Sequence, residues 1–77
     1  MQRFGEKLRT LRKHHRMTVR ELADALGYTA FSYISEVETG KLKPSIEFAI
    51  KVSRLFGVSL DQLLKDELEL DQAGSES

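Results

Sequence analysis

The chain has 77 residues, no cysteine, and 12 Lys and Arg set against 12 Asp and Glu. A chain this short holds one core and buries only about 60–65% of the surface it exposes when unfolded; with no thiols for disulfides or thiolate metal sites, association with a second chain is the remaining means of support. No apolar run approaches the roughly 18 residues of a membrane span, and charges fill the N-terminal stretch that a secretion signal would keep apolar, so a cytoplasmic protein without membrane attachment is expected.

The balanced total conceals a division along the chain. Residues 1–65 hold all 12 basic side chains and 7 acids, a surplus of +5, while residues 66–77 hold the other 5 acids. Arg3, Lys7, Arg9, Arg12, Lys13, Arg16 and Arg20 are opposed within the first twenty residues only by Glu6. Such density suits contact with phosphates, and it also suits an ordinary solvated helix face.

No stretch alternates with a period of two, and helix punctuation recurs throughout, so an all-α domain is predicted. Phe4, Leu8 and Leu11 make a narrow apolar stripe on a first helix over residues 2–15. Thr18 and Glu21 have capping-box spacing and open a second helix, with Leu22, Ala23 and Leu26 inward and Gly27 at its end. Thr29 is the candidate cap of a third helix of about ten residues that buries Ile34 and Val37 and stops at Gly40. Pro44 forbids helix at Lys43, and Ser45 caps a fourth helix that runs to Phe56 and closes at Gly57. Ser59 and Gln62 repeat the box before a fifth helix with Leu60, Leu63 and Leu64 on its inner face, expected to reach Leu70. The folded domain is therefore placed at 1–70, with an acidic, disordered tail at 71–77.

"GYT" joins the second and third helices so tightly that they must cross at a steep angle, as in a helix-turn-helix unit. Together "MTVRELADALGY", "YISEVETGKLKPS" and "AIKVSRLFGVSLDQLL", in this order between residues 4 and 65, resemble the Xre/Cro family of phage-repressor-like helix-turn-helix regulators. The resemblance implies a five-helix DNA-binding domain whose third helix enters the major groove, acting as a homodimer on a palindromic operator, most simply as a repressor. Carried over residue by residue, it places Phe31, Ser32 and Glu36 against base edges. A hydroxyl bonds any base, a carboxylate accepts from the cytosine amine, and an aromatic edge packs on a thymine methyl. The DNA-backbone contacts it implies are Arg16, Arg20, Thr29, Tyr33, Ser35, Lys41 and Lys43, and Arg12 with Glu38 matches an ion pair that locks the third helix to the first.

Three departures accompany the resemblance. Val19 stands where relatives carry a phosphate-bonding glutamine, and Glu36 where basic or amide side chains are commoner. One extra residue lies between Gly27 and Ile34, either lengthening the turn or extending the start of the third helix. The fourth helix carries two apolar stripes, one with Ile46, Ala49, Ser53 and Phe56, the other with Phe48, Val52 and Leu55. One closes the core; the other either packs on the fifth helix or joins Leu60, Leu64 and Leu68 in a self-complementary patch, and a homodimer through this region is expected.

Other chemistries find no support. His14 and His15 are adjacent, so their side chains diverge on a helix and do not chelate one ion as an i, i+4 pair would. The serines and histidines have no glycine-rich strand turn to present a nucleophile, so no enzyme, metal, cofactor or small-molecule ligand is expected. The alternative reading is a protein-interaction module, antitoxin-like or an adaptor, on the same scaffold. Double-stranded DNA is the preferred partner because of the basic surplus of residues 1–65.

Overall fold

Helices this short hold their shape only if the loose backbone groups at their ends find partners, and most ends here have one. The computed structural model describes residues 3–66, which form five α-helices and, among those residues, no strand. These are α1 (Phe4–His14), α2 (Val19–Leu26), α3 (Phe31–Glu38), α4 (Ile46–Phe56) and α5 (Leu60–Leu64). At α2, Thr18 Oγ1 accepts from the Glu21 N–H at 3.0 Å, and the Thr18 N–H donates to Glu21 Oε1 at 2.8 Å. The same reciprocal box joins Ser59 and Gln62 ahead of α5, and Ser45 Oγ accepts from the Phe48 N–H at the head of α4.

Three boundaries differ from the sequence expectation. Helix α1 starts at Phe4 with Arg3 as its N-cap, and Gln2 lies outside the described residues. Thr29 does not cap α3. Four residues, Gly27 to Ala30, separate α2 from α3, so the extra residue lengthens the turn and Ala30, which has no side-chain acceptor, takes the capping place. Helix α3 is accordingly eight residues long.

The third difference is at the C-terminal end, where α5 stops at Leu64 and Lys65 is extended, instead of continuing toward Leu70. Another turn of helix would need the Gln62 carbonyl to accept from the N–H of residue 66. That carbonyl is already taken by the Lys7 ammonium at 2.5 Å, which also reaches the Lys65 carbonyl at 2.7 Å. Asp66 is held as well: its Oδ1 accepts from the Arg3 N–H at 2.9 Å, and its carbonyl from Arg3 Nη1 at 2.8 Å. Leu68, Leu70 and the acidic stretch 71–77 lie outside the described residues.

Inside, Phe4, Leu8, Leu22, Ile34, Phe48, Val52 and Leu63 are at most 1% exposed. Phe48 gathers three other rings, with centroid distances of 6.1 Å to Phe4, 5.5 Å to Tyr28 and 5.1 Å to Tyr33. This corrects the assignment of Phe48 and Val52 to a contact between two copies. Both are 0% exposed within one chain, because Phe48, Ala49 and Val52 together form the inner stripe of α4. Leu55, on the outer side, remains 41% exposed.

Helices α1 and α3 approach closely because residue 5 has no side chain. A Cβ on Gly5 would overlap the Val37 carbonyl oxygen and stand 2.8 Å from that of Glu38, both backbone atoms with little freedom to yield. Where α1 ends, the Met17 N–H bonds to the Arg12 carbonyl at 3.0 Å and the Arg16 N–H to that of Lys13 at 2.9 Å. That pairing is the Schellman closure, which requires a left-handed residue, and here the residue is Arg16 at φ 57° instead of glycine.

Gly5→Ala is therefore expected to cost about 1–3 kcal/mol through overpacking, lowering the melting temperature by roughly 4–8 °C per kcal/mol in a domain of this size. Arg16→Gly should move the other way by about 0.5–1 kcal/mol, since relief of left-handed strain exceeds the added unfolded-state entropy. Thermal unfolding followed by circular dichroism separates the two signs. An unchanged melting temperature for Gly5→Ala would mean that α1 and α3 are not held at this distance.

Candidate nucleic-acid interface

The four-residue link turns α3 across α2, and Gly27 at φ 84° ends α2 in the left-handed region at no steric cost. What fixes α3 against the rest of the domain is Arg12. Its Nε and Nη2 donate to Glu38 Oε2 and Oε1 at 2.7 and 3.1 Å, while Nη1 donates to the Met17 carbonyl at 2.8 Å. The side chains of the pair are 12% and 6% exposed. One guanidinium thus ties the end of α1, the lead into α2 and the last residue of α3 together through a two-point contact that only its planar fork can make.

With Ile34 and Val37 buried, the opposite face of α3 presents Ser32, Ser35 and Glu36 to solvent. The Glu36 carbonyl accepts from the N–H groups of Lys41 and Leu42 at 2.9 and 3.2 Å, so the loop after α3 folds back on the helix end. Lys41 and Lys43 in that loop are exposed, as are Arg16 before α2, Arg20 in its first turn and Thr29 in the turn. Val19 is half-buried against the core, so it offers the α2 start no polar side chain.

The two aromatics of α3 separate. Tyr33 is half-buried, with its ring against Phe48 and 5.4 Å from that of Tyr28. Phe31 is 44% exposed, and the Arg20 guanidinium lies over its ring, 4.9 Å from the centroid. Tyr28 packs under the ammonium of Lys51, 4.8 Å from its ring centre. Burial pushes the Tyr28 phenol up from its ordinary value, with Tyr33 and Glu47 adding in the same direction, so its hydroxyl is a neutral donor at physiological pH.

The structure brings together Arg12 with Glu38 and Arg20 with Phe31, and it separates Phe48 and Val52 from any surface. Leu60 and Leu64 are half-buried against the core. The sequence reading missed Lys7, the one charged residue that is buried among the described residues. Its signal was present: Lys7 lies three residues after Phe4 and four before Leu11, on the apolar stripe itself. The rings of His14 and His15 meet edge to face at 5.5 Å, and His15 also packs on Phe56 at 4.9 Å. Among the described residues, no group of three His, Cys, Asp or Glu side chains is placed to hold a metal, and no helix is long and apolar enough to cross a membrane.

Two short helices crossed through a tight turn, the second with a polar face turned outward, define a helix-turn-helix protein. Residues 8–63 match the helix-turn-helix family, and the chain belongs to it. It is similar to the uncharacterized HTH-type transcriptional regulator YqaE of Bacillus subtilis, 39% identical over 83% of this chain and 54% of that one. It is also similar to the HTH-type transcriptional regulator SinR of Bacillus licheniformis, 40% identical over 88% of this chain and 63% of that one. The chain thus spans only part of the length of these relatives. The N-terminal DNA-binding domain of SinR from Bacillus subtilis has the same fold, with a TM-score of 0.78 and 34% identity, covering 90% of this chain and 100% of that domain.

Because Arg12 and Glu38 are largely buried, removing one partner strands the other. Arg12→Met or Glu38→Gln should each cost about 3–5 kcal/mol, and Arg12→Met combined with Glu38→Leu should recover much of that loss. Urea unfolding of the three variants measures both statements; equal losses for the single and double variants would contradict them.

Proposed function

We propose that the protein is a sequence-specific DNA-binding transcriptional regulator, a repressor that acts as a homodimer on a palindromic operator. The observation that carries this reading is the outer face of α3, where Ser32, Ser35 and Glu36 stand exposed beside the cationic loop of Lys41 and Lys43. Phosphate contacts supply most of the affinity of such a protein and carry no sequence information, whereas polar tips in the major groove choose the bases. Here those tasks fall to different segments. Arg16, Lys41 and Lys43, with the hydroxyls of Thr29, Tyr33 and Ser35, border the helix and neutralise or bond the backbone. Ser32 and Glu36 face the bases, Glu36 favouring a cytosine amine and disfavouring any site that offers its carboxylate no donor. Similarity to the DNA-binding domain of SinR supports DNA as the partner.

A palindrome requires two reading helices about 34 Å apart, related by a two-fold axis. A second copy would join through Leu55, exposed on the outer side of α4, and the half-buried Leu60 and Leu64 on α5. Selection of bound sequences from a random duplex pool at near-physiological salt should yield a two-fold symmetric motif, with affinity falling steeply as salt rises. Lys41→Glu and Lys43→Glu should weaken binding to every duplex and flatten the salt dependence by about one ion each, whereas Ser32→Ala and Glu36→Ala should change the selected motif. A pool without enrichment, together with a salt-tolerant complex formed by a protein partner, would favour the protein-interaction module instead.

A further inference from the structure

Helix α3, "FSYISEVE", contains no lysine or arginine, so nothing on it can make the two-pronged contact to guanine O6 and N7 that is the commonest specific contact in the major groove. Arg20 on α2 is positioned to supply it. Its guanidinium lies over the ring of Phe31, the first residue of α3, and the N-terminal residues of the reading helix are the ones that meet base edges. Both side chains are exposed. Among the described residues Arg20 has no hydrogen-bond acceptor or carboxylate partner, in contrast to Arg12, each of whose three guanidinium nitrogens donates to Glu38 or Met17. The ring takes one side of the cation and leaves its N–H donors available.

We propose that Arg20, held by Phe31, reads a guanine in each half of the operator, instead of serving as one more phosphate contact. The inference rests on the DNA-reading function proposed above and reassigns two residues within it: Arg20 becomes a base-reading side chain and Phe31 its positioning residue. A phosphate, with several oxygens around one centre, can receive an arginine fork from more than one direction, so a fixed platform matters less there. A guanine edge demands one plane and one direction, and an aromatic surface reduces the rotamer freedom lost when the long side chain is fixed there. The arrangement also accounts for how an anionic helix recognises bases, since the cation it lacks is borrowed from the preceding helix.

The test is sequence selection from the same duplex pool with the wild type, Arg20→Ala, Arg20→Lys and Phe31→Leu, together with salt titrations on the wild-type site. Melting temperatures close to that of the wild type establish that these exposed substitutions leave the fold intact. The wild type should select a G·C pair in each half-site. Arg20→Ala and Phe31→Leu should reduce the preference for that pair about tenfold or more while leaving the other positions of the motif in place. Arg20→Lys, which keeps the charge and loses the fork, should lose most of that preference too. Loss of affinity for all duplexes alike by Arg20→Ala, with the motif intact and the salt slope reduced by about one, would make Arg20 a phosphate contact and overturn the inference alone. A wild-type pool with no enriched sequence would overturn the DNA-reading function, and this inference with it.

Discussion

The arrangement of this small domain depends on one buried ion pair. Arg12 meets Glu38 through two hydrogen bonds and spends its remaining reach on the Met17 carbonyl, so three segments converge on one guanidinium. Without it, α3 would be held to α1 mainly by apolar contact, which is strong but tolerates sliding and rotation. A hydrogen-bonded pair with low exposure does not tolerate them, because every displacement strands charge away from water. Gly5 completes the restraint by letting the α3 backbone come within contact distance of α1. The polar face of α3 is thereby presented at a fixed angle and depth, which a base-reading surface requires.

That fixity clarifies the unusual charge of α3. A helix bearing Glu36 and Glu38 and no cation carries the wrong sign for approaching a polyanion. One of the two carboxylates is already neutralised internally by Arg12, leaving only Glu36 to face outward. The positive charge lies on the neighbouring segments, on Arg16 and Arg20 before the turn and Lys41 and Lys43 after the helix. The exposed polar face of α3 is left with two short hydroxyl side chains, Ser32 and Ser35, beside that one carboxylate.

Much of the fold was legible from local chemistry. Both capping boxes and the Ser45 cap follow from residue type and a three-residue spacing, since their partners lie within one turn. The glycine at the end of α2 is legible for the same reason. Misplaced boundaries arose where the deciding partner is distant in sequence. The stop of α5 is set by Lys7, 55 residues before Gln62, and no local pattern around Leu64 announces it. Likewise the allocation of α4's stripes depends on which aromatic rings surround Phe48, and three of them come from other elements. The extra residue between Gly27 and Ile34 was visible as a count, but whether it enlarged the turn or the helix depended on packing. The contact between Arg20 and Phe31 spans the turn, and both residues were singled out separately before the structure joined them.

The hydrogen bonds between Arg3 and Asp66 span 63 positions of the chain. They make the folded unit topologically a closed circuit, with its first and last described residues clasped beside each other. Closing so long a loop carries a larger entropic penalty than contacts between neighbouring helices do. Because the buried ammonium of Lys7 finds its acceptors only when α5 has arrived, α1 cannot settle fully on its own. The two outermost helices thus complete each other, α1 supplying the cation and the end of α5 the carbonyls that receive it.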